Sequence, residues 1–487
     1  MFGHEALRPG QREVIERALA GRDTLAIMPT GAGKSLCYQL PALLLPGTTV
    51  VVSPLISLMK DQADKLAERG IEAEAVNSSL DADEEREALR NIVQGRTEFV
   101  FTTPERLAQP EFRRTLKRAK IDLLVVDEAH CISRWGHDFR PAYLEIGQAA
   151  AQLGRPTILA LTATATADVV EDIRRSLDRP RMGVVDVGLY RPNLVYAVRQ
   201  VTNAGEKRDA LVEALRASEG AAIVYTATVK AAEEVMGVLA DAGIEATLYH
   251  GRLAAAKRAG RQDAFMEGRA RVMVATNAFG MGIDKPDIRA VIHWQVPGSI
   301  ESYYQESGRA GRDGDDSACT LLYAHEDRRV QQFFLAGHVP DAEELRAVHS
   351  RQLQGLSKGR IQRARAILDD AGFFEREHVK DRDFEALAAR EVALREADRD
   401  KLERMSAYAH GARCRWLMIL EAFGEREAFE RCGRCDNCVN PPSRGAEPDA
   451  AAPDQTAAGR RLSAQPPARS SRGNARKRSR VRGRRGL

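Results

Sequence analysis

Thr24-Leu25-Ala26-Ile27-Met28-Pro29-Thr30-Gly31-Ala32-Gly33-Lys34-Ser35 is the stretch that decides the fold. Thr24–Met28 is a short apolar run that reads as a buried strand. A proline and two glycines break it, and a helix-like pattern follows. In such a strand–loop–helix unit the glycines let backbone N–H groups turn inward around phosphate oxygens. Lys34 can then neutralise the outer phosphates and Ser35 can ligate Mg²⁺. Met28 stands where the long phosphate-loop pattern has its first glycine.

The same alternation extends outward from this loop. Thr48–Val52, Phe99–Thr102, Leu123–Val126 and Thr157–Leu161 are further short apolar runs, each followed by a polar or Gly/Pro turn and a helical pattern. That alternation predicts a parallel sheet covered by helices over residues 1–182. It restarts with Ala221–Tyr225, Ala246–Tyr249, Val272–Ala275 and Ala290–Trp294, which predict a second α/β domain over 183–330. The junction Asp178–Asn193 carries two prolines and two glycines. Ligands of such folds bind beyond the carboxyl ends of the strands, so the cleft between the two domains is the expected site.

Two further stretches complete a phosphate-handling chemistry. Leu123-Leu124-Val125-Val126-Asp127-Glu128-Ala129-His130 is a buried strand whose end delivers two carboxylates. Asp127 can hold Mg²⁺ and Glu128 can polarise an attacking water. Gln305-Glu306-Ser307-Gly308-Arg309-Ala310-Gly311-Arg312 lies near the end of the second domain. Its two arginines, three apart, suit the charge that develops on a transferring phosphoryl group. Together these stretches predict a nucleoside triphosphate hydrolase.

Composition narrows the class. Apolar residues make up 44% of the 487 and charged residues 29%, a globular balance that excludes wholesale disorder. No apolar run approaches the roughly 20 residues that span a bilayer, and the first residues lack a secretory pattern. A cytoplasmic protein with no membrane partner is expected. The net charge of +4 is unevenly spread: Gln455–Leu487 holds eleven basic residues and no acidic one, while the rest carries 62 basic and 69 acidic residues. Residues 441–487, rich in Pro, Ala, Ser and Arg, are expected to be a disordered basic tail, read either as binding phosphates nonspecifically or as a solubilising tail without a defined partner.

The quoted motifs resemble superfamily 2 helicases and, more closely, the RecQ family of DNA helicases. Leu7-Arg8-Pro9-Gly10-Gln11 is similar to the family's motif 0, where the glutamine reads adenine, and His4 sits where an aromatic residue often stacks on the base. The resemblance implies nucleotide contacts from His4, Arg8, Gln11, Thr30, Gly31, Gly33, Lys34, Ser35, Asp127 and Gln305. It implies catalytic roles for Lys34, Asp127, Glu128, Arg309 and Arg312, with Mg²⁺ held by Ser35 and Asp127.

The stretch Asp127–Pro141 resembles the family's aromatic-rich loop. Trp135 and Phe139 offer faces to unstacked bases, and Arg134 and Arg140 can meet phosphates. Ser53 in Ser53–Gln62 (motif Ia) and Thr276 in Val274–Asp284 (motif V) are the other expected DNA contacts. The fold implied is two tandem RecA-like parallel-sheet domains, then a mostly helical zinc-binding domain over 331–440, then the tail. The implied activity is ATP-dependent 3′→5′ unwinding of DNA in repair and recombination. The alternative is an ATP-driven translocase or nucleoprotein remodeller with weak unwinding. Single-stranded and forked duplex DNA are the expected partners, with single-strand-binding protein as a further one and nucleoid association in a bacterial host.

Cys414, Cys432, Cys435 and Cys438 are spaced Cys-x17-Cys-x2-Cys-x2-Cys. Four thiolates can close a tetrahedral Zn²⁺ site, with an iron–sulfur cluster as the rival. The flanking residues resemble the RecQ zinc-binding subdomain, which favours zinc. Cys37, Cys131 and Cys319 read as packed thiols. Leu356–Phe374 reads either as a recognition helix of a helix-turn-helix or as an amphipathic packing helix, and Phe384–Met405 as one long exposed helix.

Overall fold

The computed structural model describes residues 6–78, 80–134, 139–280, 285–374, 378–425 and 429–441. His4, Trp135 and the basic tail lie outside the described residues, and so do the expectations attached to them.

Seven parallel strands form the first sheet: β1 (Thr24–Ile27), β2 (Thr48–Val52), β3 (Ala73–Val76), β4 (Phe99–Thr102), β5 (Ile121–Val126), β6 (Thr157–Thr162) and β7 (Gly183–Asp186). Their order is β3-β4-β2-β5-β6-β1-β7. β1, β2 and β4 are buried along their whole length, as expected of strands covered by helices on both faces. Six more parallel strands form the second sheet: β8 (Leu194–Gln200), β9 (Ala221–Tyr225), β10 (Ala246–Tyr249), β11 (Val272–Ala275), β12 (Ile288–His293) and β13 (Ser317–Tyr323), ordered β10-β11-β9-β12-β13-β8.

The expected division at residue 182 needs correction. β7 pairs in register with β1, Thr24 opposite Gly183 through Ile27 opposite Asp186, so the first domain runs to Asp186. The expected start of the helical region at 331 also moves, because it falls inside the helix Asp327–Leu335. Four strands, β3, β7, β8 and β13, lie outside the runs expected from the sequence. β3, β7 and β8 are edge strands with exposed or half-buried positions, and β13 carries Ser317 and Thr320.

The C-terminal region is helical. Ala342–His349, Lys358–Asp370 and the first turns of Asp381–His410 enclose a small core of Leu345, Val348, Ala364, Leu368, Phe373, Phe384 and Leu387. The long helix is therefore buried at both ends, by Phe384 and Leu387 at one and by Leu402, Met405 and Tyr408 at the other, rather than exposed throughout. Leu356–Phe374 contains the helix Lys358–Asp370, whose Ala364 and Leu368 face this core.

A free sheet edge is left with unpaired backbone groups that must find partners. On β8 the C-terminal region supplies them. Trp416 Nε1 donates to Leu194 O (3.1 Å) and Asp436 Oδ2 accepts from Val198 N (2.8 Å), while the β8 side chain of Gln200 donates through Nε2 to Ala409 O (2.7 Å). Trp416 is buried against Tyr190, Tyr196 and Tyr304, which joins the core of the second sheet to the cysteine-bearing segment. Trp416→Ala should therefore lower stability by about 3–5 kcal/mol, read as a reduced denaturant midpoint for the second domain.

Candidate nucleotide and zinc sites

The strand β1 ends where Met28 N donates to Thr162 O (2.9 Å), and the loop Pro29–Lys34 leaves it toward the helix Leu36–Ala42. Gly31 and Gly33 have φ of 87° and 78°, a region open to glycine. Both are also sterically committed. A Cβ on Gly33 would lie 2.5 Å from Gln11 Nε2, and one on Gly31 would lie 3.2 Å from Arg312 Cγ. The loop is thus braced on one side by the first residue of the helix Gln11–Leu19 and on the other by an arginine from the second domain.

Gln11 does the bracing on the first side. Its Nε2 donates to Ala32 O (2.9 Å) and Gly33 O (3.0 Å), and its Oε1 accepts from Arg8 N (2.8 Å). Arg8 Nη1 donates to Gly31 O. In this conformation the amide of Gln11 is spent on the phosphate loop, so reading a base requires it to exchange a carbonyl partner.

The strand β5 brings Asp127 and Glu128 to the same place. Glu128 has φ 49° and ψ 47°, a left-handed conformation that costs a non-glycine residue about 1–2 kcal/mol. The turn redirects the side chain out of the strand axis and into the cleft. Glu128 Oε2 lies 3.4 Å from His130 Nδ1, which is 3.0 Å from Thr162 Oγ1 at the end of β6. The carboxylates thus communicate with the Thr162–Thr164 segment through a buried imidazole.

The electrostatics follow from crowding. Burial lowers the Lys34 ammonium from its ordinary value, while Glu128 and Asp127 hold it up. Burial, and then the neighbouring Glu128 carboxylate, push Asp127 up to about 7, against the pull of Lys34. Lys34 Nζ donates to Met28 O at 3.2 Å.

The second domain closes the cleft. Lys34, Ser35, Asp127 and Glu128 share one cavity of about 540 Å³ with Arg309 and Arg312; Arg8, Gln11, Thr30, Gly31, Gly33 and Gln305 also line it. Arg309 is buried, and its Nε has no hydrogen-bond partner among the described residues. The site residues expected from the sequence for nucleotide chemistry, apart from His4, therefore converge on one cavity.

The expected DNA contacts are more dispersed. Phe139 lies beneath Arg134, whose guanidinium carbon is 4.4 Å from the ring centre. Arg140 Nη1 donates to Pro54 O (3.2 Å), linking the aromatic-rich loop to the segment after β2. Ser53 is buried with its Oγ 3.4 Å from Asp127 Oδ2, and Thr276 is buried at the end of β11. These two side chains face the protein interior in this conformation.

One residue escaped sequence reasoning. Arg191, in the junction, donates to Thr30 O (3.3 Å) in the phosphate loop and to Gly308 O and Ala310 O (both 2.7 Å) beside the arginines. It also reaches Gly311 O. An arginine followed by proline in a Gly/Pro-rich linker carries no signal of this, because all four partners are backbone carbonyls.

The four clustered cysteines have sulfur atoms that all lie within 4.8 Å of one another, with Cys432 and Cys438 3.9 Å apart. A tetrahedral Zn²⁺ with bonds of about 2.3 Å needs sulfurs about 3.8 Å apart, so the set fits. Backbone N–H groups of Arg415, Cys432 and Cys435 point at Cys435, Cys414 and Cys432 sulfurs, as thiolate ligands favour. Arg415 pairs with Asp436 (2.9 Å) and Asn437 Nδ2 donates to Gly411 O and Arg413 O (both 2.8 Å), tying the two halves of the cluster together. Cys37, Cys131 and Cys319 are buried, and burial pushes Cys37 and Cys319 up to about 12.

Comparison with known proteins places this geometry in a class. Residues 8–173 match the DEAD/DEAH box helicase family and residues 206–314 the helicase conserved C-terminal domain. The fold resembles that of Mycobacterium smegmatis helicase Lhr bound to single-stranded DNA and AMP-PNP (TM-score 0.56, 21% identity, 83% of this chain and 55% of that one). It resembles DEAD-box helicase Mss116 bound to single-stranded RNA equally well (TM-score 0.56, 17% identity, 82% and 88%). The chain therefore has the two-domain helicase fold.

The family is more specific. Residues 362–439 match the RecQ zinc-binding family. The chain is 41% identical over 441 residues to the ATP-dependent DNA helicase RecQ of Bacillus subtilis, covering 90% of this chain and 66% of that protein. It is 42% identical over 346 residues to the probable ATP-dependent DNA helicase RecS of the same organism, covering 71% and 69%. This chain belongs to the RecQ family of ATP-dependent DNA helicases. It spans just under two thirds of the length of the RecQ proteins it matches, 66% in Bacillus subtilis and 63% in Haemophilus influenzae. Among the described residues, no helix is long and apolar enough to cross a membrane.

Two outcomes are expected. Cys435→Ser should reduce bound zinc from one per chain, measured by elemental analysis, and lower the melting temperature, because the cluster stabilises the segment that covers β8. Arg191→Ala should lower kcat for ATP hydrolysis more than it raises KM, because it frees the arginine-bearing turn from the phosphate loop without touching nucleotide.

Proposed function

We propose that this chain is an ATP-dependent DNA helicase that moves 3′→5′ on single-stranded DNA and separates duplexes during repair or recombination. The observation that carries the reading is the shared cavity. Lysine and carboxylates from one sheet and two arginines from the other meet within it. Neither domain alone supplies both halves of a phosphoryl-transfer site.

In this reading the backbone N–H groups of residues 31–35 receive the phosphates at the start of the helix Leu36–Ala42, and Lys34 leaves Met28 O to meet the terminal phosphates. Bound Mg²⁺, held by Ser35 and Asp127, supplies charge neutralisation on the phosphate oxygens. Glu128 orients the attacking water from its strained backbone position and holds the proton that the water gives up. Arg309 and Arg312 meet the negative charge that accumulates on the transferring phosphoryl group. When phosphate leaves, Arg309 and Arg312 lose the charge that held them in the cleft, which favours its opening. Each domain grips the strand separately, so closing and opening become steps along it. Polarity is the family's, carried over with the motifs.

His130 gives the water-orienting carboxylate a route to the DNA side. It contacts Glu128 and Thr162, and it precedes the aromatic-rich loop by only a few residues. A strand seated on that loop can bias Glu128 through this imidazole, which is the basis expected for DNA-stimulated hydrolysis. Single-strand-binding protein as a partner and nucleoid association in a bacterial host are part of the same reading, since both accompany single-stranded DNA.

Glu128→Gln should reduce DNA-stimulated ATP hydrolysis by about 10³-fold while nucleotide still binds. The measurement compares phosphate release with no polymer, single-stranded DNA and single-stranded RNA. Full activity of that variant, or stimulation by RNA alone, refutes the assignment.

A further inference from the structure

A second cleft lies away from the nucleotide cavity, where three parts of the chain meet. Its volume is about 480 Å³. The first domain contributes Arg134 and Phe139 from the aromatic-rich loop. The second contributes Ser299 and Ser302, and the helical region closes the rest. Nothing in the nucleotide chemistry uses this cleft.

Its walls are unusual for a protein surface. Phe333 and Phe334, adjacent on the helix Asp327–Leu335, are 77% and 53% exposed, and Phe334 lines the cleft. Large aromatic side chains left in water at neighbouring positions mark a binding surface more often than an accident of packing. Four cations, Arg134, Arg363, Arg395 and Lys401, face two carboxylates, Glu391 and Asp398, so the lining of the cleft is electropositive.

The aromatic wall is held firmly. The helix Asp327–Leu335 is anchored at its start by the buried pair Lys207–Asp327 (2.7 Å) and along its length by Gln331 Nε2 donating to Val296 O (2.8 Å). At its far end Arg395 donates to Leu335 O and to Gly337 O. On the opposite wall, Arg134 Nη2 donates to Asp370 O (2.7 Å) at the end of the helix Lys358–Asp370, which keeps its guanidinium over Phe139. An exposed ring on an anchored helix, a second ring capped by a guanidinium and further cations in the same lining are the groups that seat unstacked bases and their phosphates.

We propose that this cleft seats single-stranded DNA, with a base against Phe334 and the adjoining phosphates at Arg363 and Lys401. The inference rests on the helicase reading and extends it. The small helical core around Leu345 and Phe384 becomes part of the DNA path, and the strand runs from the aromatic-rich loop onto the helix Asp327–Leu335. Entry of a base displaces Arg134 from Phe139 or sandwiches it, which loosens its bond to Asp370 O. The loop that abuts Glu128 then senses occupancy of the cleft.

The test uses the full chain and a fluorescein-labelled oligothymidylate, read by anisotropy at low salt. Phe334→Ala should weaken binding about tenfold, as expected for loss of one stacked base, while Phe334→Tyr retains affinity. On an oligonucleotide with abasic sites the Phe334→Ala defect should disappear, an outcome that a merely structural role would not produce. Arg363→Ala should weaken binding and reduce the slope of affinity against salt by about one charge. ATP hydrolysis without DNA should be unchanged in all three variants. Wild-type affinity in both Phe334→Ala and Arg363→Ala overturns the cleft while leaving the helicase reading intact. Failure of the wild-type chain itself to bind DNA overturns the helicase reading instead.

Discussion

Concentration of positive charge in a cleft that neither domain can complete alone is the constraint on which the rest of this structure depends. Lys34, Arg309 and Arg312 converge on Asp127 and Glu128, and the two carboxylates cannot neutralise three cations. Burial makes an unmatched cation costly there, as the lowered Lys34 shows. A polyanion bound with a divalent cation relieves it. The cleft is therefore matched to a bound polyanion, and a triphosphate and its hydrolysis products differ in the charge they bring to it.

The junction is built to transmit this dependence. Arg191 binds carbonyls of both the phosphate loop and the arginine-bearing turn, so the linker is a structural member of the cleft rather than a tether. A few residues on, β8 begins, and its edge is covered by Trp416 and Asp436. Arg434 pairs with Asp316 and donates to Pro192 O (2.8 Å), bringing the cysteine cluster onto the same junction. The zinc-binding segment thus stabilises the second sheet at the end from which the linker departs. A metal site far from the chemistry is in this way a condition for holding the arginines in place.

Much of the design was legible in the chain. Strands buried on both faces must be continuous apolar runs, so β1, β2, β4, β5 and β6 announce themselves, as do β9, β11 and β12; the short edge strand β10 is legible as well. The phosphate loop, the paired carboxylates and the cysteine spacing are equally visible, because each chemistry demands particular residue types at short separation. Edge strands are different. β3 and β7 need only one partner strand, so their apolar content is too thin to mark them, and the end of the first domain at β7 is not legible in the sequence.

Sequence by itself determined which groups handle phosphate and metal, since side-chain chemistry and local spacing do not depend on the rest of the fold. Tertiary structure alone decided which of them meet. Arg312 contacts Gly31 across 281 positions, Arg191 acts wholly through backbone carbonyls, and Phe334 joins Arg134 in one cleft only because three separate segments are packed together. Contacts over such separations are fixed by how sheets and helices bury their apolar faces, and no short window of residues records that.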